Sequence, residues 1–125
     1  DQDSEHVRVL SCVCSSMKPG GTLVIDFLNA SQVRRELVPY DERVENGITI
    51  EQRRAISSDD RFVEKTIRLR ERRKEYIERV RLLSPRDLQS MLVTSGFKVM
   101  KLFGDYGGAD WSEGSPRTIL FASRR

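Results

Sequence analysis

Lys18-Pro19-Gly20-Gly21-Thr22-Leu23-Val24-Ile25-Asp26-Phe27-Leu28-Asn29 joins the end of a helix to a strand, and its reading decides the fold. Pro19 and the two glycines stop the preceding helix and permit the positive φ angles of a tight turn. Leu23, Val24, Ile25 and Phe27 then form a short, nearly continuous apolar block. Such a block suits a strand covered on both faces, as in a parallel sheet flanked by helices. Asp26 interrupts it near the end, where the strand emerges toward solvent. A buried helix fits less well, because the block is short and bounded by Gly-Gly.

Upstream, residues 4–18 read as a helix. Val7, Leu10, Cys14 and Met17 fall on one stripe at helical spacing, with Asp3 or Ser4 available as the cap. Downstream, Asn29-Ala30-Ser31 forms a junction, and residues 32–37 suit a short helix ended by Pro39. The middle, 43–83, supports two readings. Its Arg, Glu and Lys content favours helix by propensity. Its apolar positions, Ile48 and Ile50, then Val63, Ile67 and Leu69, then Tyr76, Val80 and Leu82, favour strands. Ser57-Ser58-Asp59-Asp60 marks a turn between the first two runs. The expectation is an antiparallel three-stranded insert, with a helix over 62–80 as the alternative.

The next helix is well marked. Ser84 is its N-cap, Pro85 its first residue, and Asp87 completes a variant of the capping box. Leu88, Met91 and Leu92 make its apolar stripe, and Gly96 ends it. Residues 97–103 alternate as a strand, and a loop over 104–116 leads to a last strand over 118–122.

Composition narrows the function classes. Charged residues make up 33% of the chain, and no apolar run approaches the about 20 residues that span a bilayer. No membrane partner is expected, and the expected compartment is the cytoplasm. Cys12 and Cys14 are the only cysteines; two apart on a helix they diverge, so two small core thiols are expected rather than a disulfide. With His6 the only histidine, no metal site is expected. The net charge of +3 is concentrated over 53–81, where eleven Lys or Arg face six Asp or Glu. The interleaved acids favour a solvated, ion-paired face over a nucleic-acid patch.

The Pro-Gly-Gly turn and its strand resemble the turn and fifth strand of a class I S-adenosylmethionine-dependent methyltransferase. Arg81-Leu82-Leu83-Ser84, Asp87-Leu88 and Ser95-Gly96-Phe97 resemble that family's helix-to-strand unit. Gly104-Asp105-Tyr106-Gly107-Gly108 and Ser115-Pro116-Arg117 resemble the final hairpin of a bacterial-type branch. The resemblance covers nearly the whole chain and is weakest over 40–80. It implies the C-terminal half of a Rossmann-like α/β sheet: helix, parallel strand, antiparallel β insert over 43–83, helix and terminal strand hairpin. On this reading 1–125 is a partial methyltransferase domain that lacks the glycine-rich cofactor-binding half. The family's glycine-rich loop opens a helix, whereas Gly104–Gly108 leads into a strand and has no helix N-terminus to offer.

The resemblance therefore implies S-adenosylmethionine as cofactor of a full-length enzyme, with no cofactor-binding residue in this stretch. The methyl acceptor is unknown, with a small molecule favoured over nucleic acid. In open α/β sheets ligands lie outside the carboxyl ends of the strands. Asn29, Tyr40, Arg81, Asp105, Tyr106 and Arg117 are the substrate-facing candidates. Each has a plainer role: Asn29 as a helix cap, Tyr40 in packing, Asp105 in a turn, Arg81 in the ion-paired face. Arg117 would pair with Asp105 or Asp110, and Trp111 would cover the sheet. Methyl transfer from a sulfonium needs positioning and at most one base, so no catalytic triad is expected. The alternative function is a noncatalytic binding or dimerisation module. The strand over 22–28 should also offer an unpaired edge, through which a homodimer is expected.

Overall fold

A computed structural model describes residues 2–125. In chain order the elements begin α1 (Gln2–Ser16), β1 (Thr22–Leu28), α2 (Ala30–Glu36), β2 (Tyr40–Glu45) and β3 (Ile48–Ile56). They continue β4 (Phe62–Leu69), β5 (Lys74–Arg81), α3 (Pro85–Thr94), β6 (Phe97–Phe103) and β7 (Arg117–Arg124). Contacts divide them into two compact units: the residues up to Gln32 together with Leu83–Arg125, and Val33–Leu82 between them.

The first unit is a three-stranded sheet, β1-β7-β6, with antiparallel pairing at both junctions. β1 and β6 consequently run parallel to each other with β7 between, and their carboxyl ends share a rim. α1 and α3 supply the buried layer against one face. Cys14, Leu88, Met91, Leu92, Phe97, Leu120 and Ala122 are buried there, and Val7, Leu10, Met17, Leu23, Ile25 and Phe27 pack around them. Each fully buried Leu, Met or Phe among them contributes about 1.5–3 kcal/mol. α3 is fixed as its sequence predicts. The Ser84 hydroxyl accepts from the Asp87 amide at 3.1 Å, and the Asp87 carboxylate accepts from the Ser84 amide at 3.0 Å. Gly96, at φ 98°, turns the chain into β6.

Three local expectations are corrected. α1 starts at Gln2, so Asp3 and Ser4 lie in its first turn rather than capping it. Only Cys14 is a core thiol, since Cys12 is exposed. β1 is not covered on both faces: Leu23, Ile25 and Phe27 pack against the helices, while Val24 on the other face is 49% exposed. A continuous apolar run does not reveal which of its two faces a neighbour covers.

The second unit is a four-stranded antiparallel sheet in the order β2-β3-β4-β5. Neither the three-strand count nor the alternative helix over 62–80 holds. β2 adds the extra strand; its sequence, Tyr-Asp-Glu-Arg-Val-Glu, carries too few apolar residues to declare itself. The registers align Ile50 with Leu69, Gln52 with Ile67 and Tyr76, and Val63 with Val80, placing the apolar residues on one face. The opposite face carries ion pairs, including Arg70 with Glu51 and Arg79 with Glu64 at 3.3 Å. The reversal after β4 runs through Arg70, Glu71, Arg72 and Arg73 without a glycine, and Arg73 takes φ 51° to close it.

The base of this unit is tied at one dipeptide. Arg34 donates to the Asp60 carboxylate at 3.1 Å, and the Leu82 amide donates to the Arg61 carbonyl at 2.7 Å. Entry and exit of the insert are thereby held beside each other.

Candidate functional site

The shared rim of β1 and β6 collects most of the sequence-derived candidates. Its centre is Asp26, on the open face of β1. The Tyr106 hydroxyl donates to one Asp26 oxygen at 2.7 Å, and Arg117 Nε donates to the other at 2.8 Å. Beneath this cluster an open depression of about 370 Å³ is lined by Val24, Phe103, Ile119 and Phe121 with Asp26 and Tyr106. The Phe103 and Phe121 rings meet edge to face, with centroids 5.5 Å apart. The site is thus an apolar floor bordered by a carboxylate, a phenol and a guanidinium.

The loop over 104–116 carries Tyr106 into place. Asp105 accepts from the amides of Gly107 at 2.9 Å and Ala109 at 3.1 Å, closing the turn in which Tyr106 sits. Gly104 is required by contact, because a β-carbon there would collide with the Ser115 side chain and come within 3.1 Å of the Asp110 carbonyl. Asn29 ties this loop to the end of β1. Its side-chain amide donates to the carbonyls of Ser112, Glu113 and Ser115 at 3.1, 3.2 and 2.8 Å. Its oxygen accepts from the Ser31 amide at 3.2 Å, capping α2. Trp111 is anchored through Nε1 to the Thr118 hydroxyl at 3.0 Å.

The six candidates therefore separate. Tyr106 and Arg117 meet on Asp26. Asn29, only 1% exposed, and Asp105 support them, with their polar atoms engaged inside the unit. Arg117 pairs with Asp26 rather than with Asp105 or Asp110. Tyr40 and Arg81 belong to the insert. Tyr40 donates to Glu42 at 2.7 Å beneath the Arg53 guanidinium, and Arg81 donates to the carbonyls of Arg61 and Leu82 at 3.2 and 2.8 Å. In the sequence Asp26 marks only the point where the strand leaves the core. The available signal was one acid inside an otherwise apolar strand.

The electrostatics favour holding over proton transfer. The Tyr106 hydrogen bond, then Arg117, keeps the Asp26 carboxyl below the usual carboxylate range. The same hydrogen bond raises the Tyr106 phenol. Near neutral pH one group is a weakly basic carboxylate and the other a neutral donor, neither matched to act as a general base. With both side chains of the ion pair more than a third exposed, the pair adds little to stability. Its effect is to fix the ring and the guanidinium over the depression.

A nucleoside cofactor fits these residues poorly. The loop amides at Gly107 and Ala109 are turned to Asp105 rather than outward to a ligand. Among the described residues no group of His, Cys, Asp or Glu is placed to hold a metal ion. No helix among the described residues is long and apolar enough to cross a membrane.

No protein-family model matches the sequence, and no curated protein matches it. Solved structures do. The methyltransferase CcbJ of Streptomyces caelestis is similar over 98% of this chain and 54% of its own, with TM-score 0.74 and 14% identity. An S-adenosylmethionine-dependent methyltransferase of Clostridium acetobutylicum gives 98%, 52%, 0.78 and 14% in the same terms. CalS10 of Micromonospora echinaspora, an amino pentose methyltransferase solved with S-adenosylmethionine bound, gives 98%, 52%, 0.59 and 14%. The chain spans about half the length of these structures, and over that half its fold is that of an S-adenosylmethionine-dependent methyltransferase.

Proposed function

We propose that this chain is the C-terminal portion of an S-adenosylmethionine-dependent methyltransferase and forms a wall of its methyl-acceptor site. The observation that carries this reading is the Asp26–Tyr106–Arg117 cluster on the carboxyl rim of a methyltransferase fold. Asp26 would accept a hydrogen bond from an amine or hydroxyl of the acceptor, and Phe103, Ile119 and Phe121 would cover its apolar part. A small molecule suits this open, mixed surface better than a nucleic acid, and the cytoplasm suits an exposed thiol at Cys12. The cofactor, when bound to the whole enzyme, supplies the transferable methyl group; the residues here orient the acceptor and exclude water.

The test is radiolabelled methyl transfer by the full-length enzyme across small amines and amino sugars, amino pentoses included because CalS10 is an amino pentose methyltransferase. Asp26→Asn is expected to raise KM for the acceptor while leaving cofactor affinity unchanged. Unchanged acceptor kinetics would remove the cluster from the site. Absence of transfer with every acceptor would favour a noncatalytic binding module.

The same reading concerns the outer edge of β1, which has β7 as its one partner strand among the described residues. In the full-length enzyme we expect further strands to occupy this edge. In the 125-residue chain alone we expect a homodimer to form through it.

A further inference from the structure

We propose that the insert has a second, independent self-association surface: the outer edge of β5, paired antiparallel with β5 of another copy about a two-fold axis at Ile77. This does not depend on the methyl-transfer reading.

Backbone parity comes first. The Leu82 amide donates to the Arg61 carbonyl, and the register continues Phe62 with Arg81 and Val63 with Val80. In an antiparallel ladder, residues alternate between pointing both backbone groups at the neighbour and pointing both away. Even-numbered residues of β5 therefore face β4. Glu75, Ile77 and Arg79 present N–H and C=O outward, and β4 is the one strand paired with β5 among the described residues. A two-fold at Ile77 sets an outward residue opposite its own copy, which is the hydrogen-bonding position. A two-fold at Tyr76 or Glu78 would also set outward residues opposite one another, so the side chains choose among these centres.

Side chains agree with this register. Centring on Ile77 places Glu75 opposite Arg79 of the second copy, and Arg79 opposite its Glu75, on either side of an Ile77–Ile77 contact. Opposite charges across a strand pair stabilise it, whereas like charges oppose it. Ile77 is 70% exposed, and β5 is exposed along nearly its whole length. Arg79 now pairs with Glu64 at 3.3 Å and lies 3.7 Å over the Phe62 ring, within reach of a second carboxylate from outside. The other edge of this sheet lacks the match. The outward residues of β2 are Tyr40, Glu42 and Val44, and a two-fold there would set Glu42 against itself. A charged edge ordinarily resists pairing; β5 instead carries charges whose order is complementary to its own reversal.

Sedimentation of the full-length enzyme, in which further strands are expected to cover the β1 edge, over a micromolar concentration range tests this. A dimer is expected, weakened by salt because its paired charges are exposed. Ile77→Pro removes an outward N–H without touching the β4 ladder, so the fold should persist and the dimer should be lost. Glu75→Arg alone should raise the dissociation constant about tenfold or more, and Glu75→Arg with Arg79→Glu should restore it. If Ile77→Pro unfolds the insert, the charge exchange decides. A monomer throughout, or a dimer indifferent to both kinds of variant, overturns the proposal. A dimer sensitive only to Val24→Lys on β1 overturns it too, while leaving the methyltransferase reading intact.

Discussion

Asp26 holds two partners that lie far away in sequence, and its protonation controls both. Its depressed pKa means that the Asp26–Tyr106 link is fully present above the ordinary carboxylate range and is lost as pH falls through the depressed value. The raised Tyr106 pKa has the complementary consequence. The link is complete below the ordinary tyrosine range and lost as pH rises through the raised value. Ultraviolet titration should therefore show two phenols ionising late, Tyr106 and the Tyr40 that donates to Glu42. Asp26→Asn should bring only Tyr106 back toward the ordinary range. An unmoved Tyr106 titration would count against the hydrogen bond. Asn29 makes a sharper prediction. Asn29→Ala leaves the carbonyls of Ser112, Glu113 and Ser115 without their shared donor, and should cost about 1–3 kcal/mol in chemical denaturation. Gly104→Ala should cost a similar about 1–3 kcal/mol by overpacking against Ser115, checked the same way. Tyr106 and Arg117 are legible as candidates through the resemblance; their meeting on Asp26 is not, because nothing local indicates pairings across 80 and 91 positions.

At the scale of elements, legibility followed the strength of the local signal. α3 was readable because Ser84, Pro85, Asp87 and Gly96 each act within a few residues of where they stand. β3, β4 and β5 were readable from their alternation, although their charge content argued for helix. β2 was not, since Val44 is its lone aliphatic residue and is itself 69% exposed. Tertiary pairing to β3, rather than propensity, makes it a strand. The insert's apolar face should tolerate no charge at its middle. Ile67→Asp introduces a carboxylate beside Gln52 and Tyr76, and should lower the insert's stability by about 1–3 kcal/mol. Thermal unfolding at the wild-type midpoint would show that this face is not part of what holds the insert together.

At the scale of the molecule, the fold matches about half of each methyltransferase structure it resembles, and the amides of Gly107 and Ala109 at the rim are turned to Asp105. Titration calorimetry on the 125-residue chain should detect no S-adenosylmethionine binding; micromolar affinity would overturn that expectation. The tie at the insert's base has a further, kinetic consequence. β1 meets β7 in a register that joins Thr22 to Ser123, so the first sheet closes a loop of very high contact order. The insert is made of consecutive hairpins and can form early. Once Asp60 and Arg61 hold Arg34 and Leu82, the fifty residues between β1 and β7 that belong to the insert no longer contribute their full length to that closure. The insert is thereby expected to act as a folding shortcut. Pulse-labelled hydrogen exchange should find β3 and β4 amides protected before those of β7, and Asp60→Ala should slow β7 protection while leaving the insert's own protection rate unchanged.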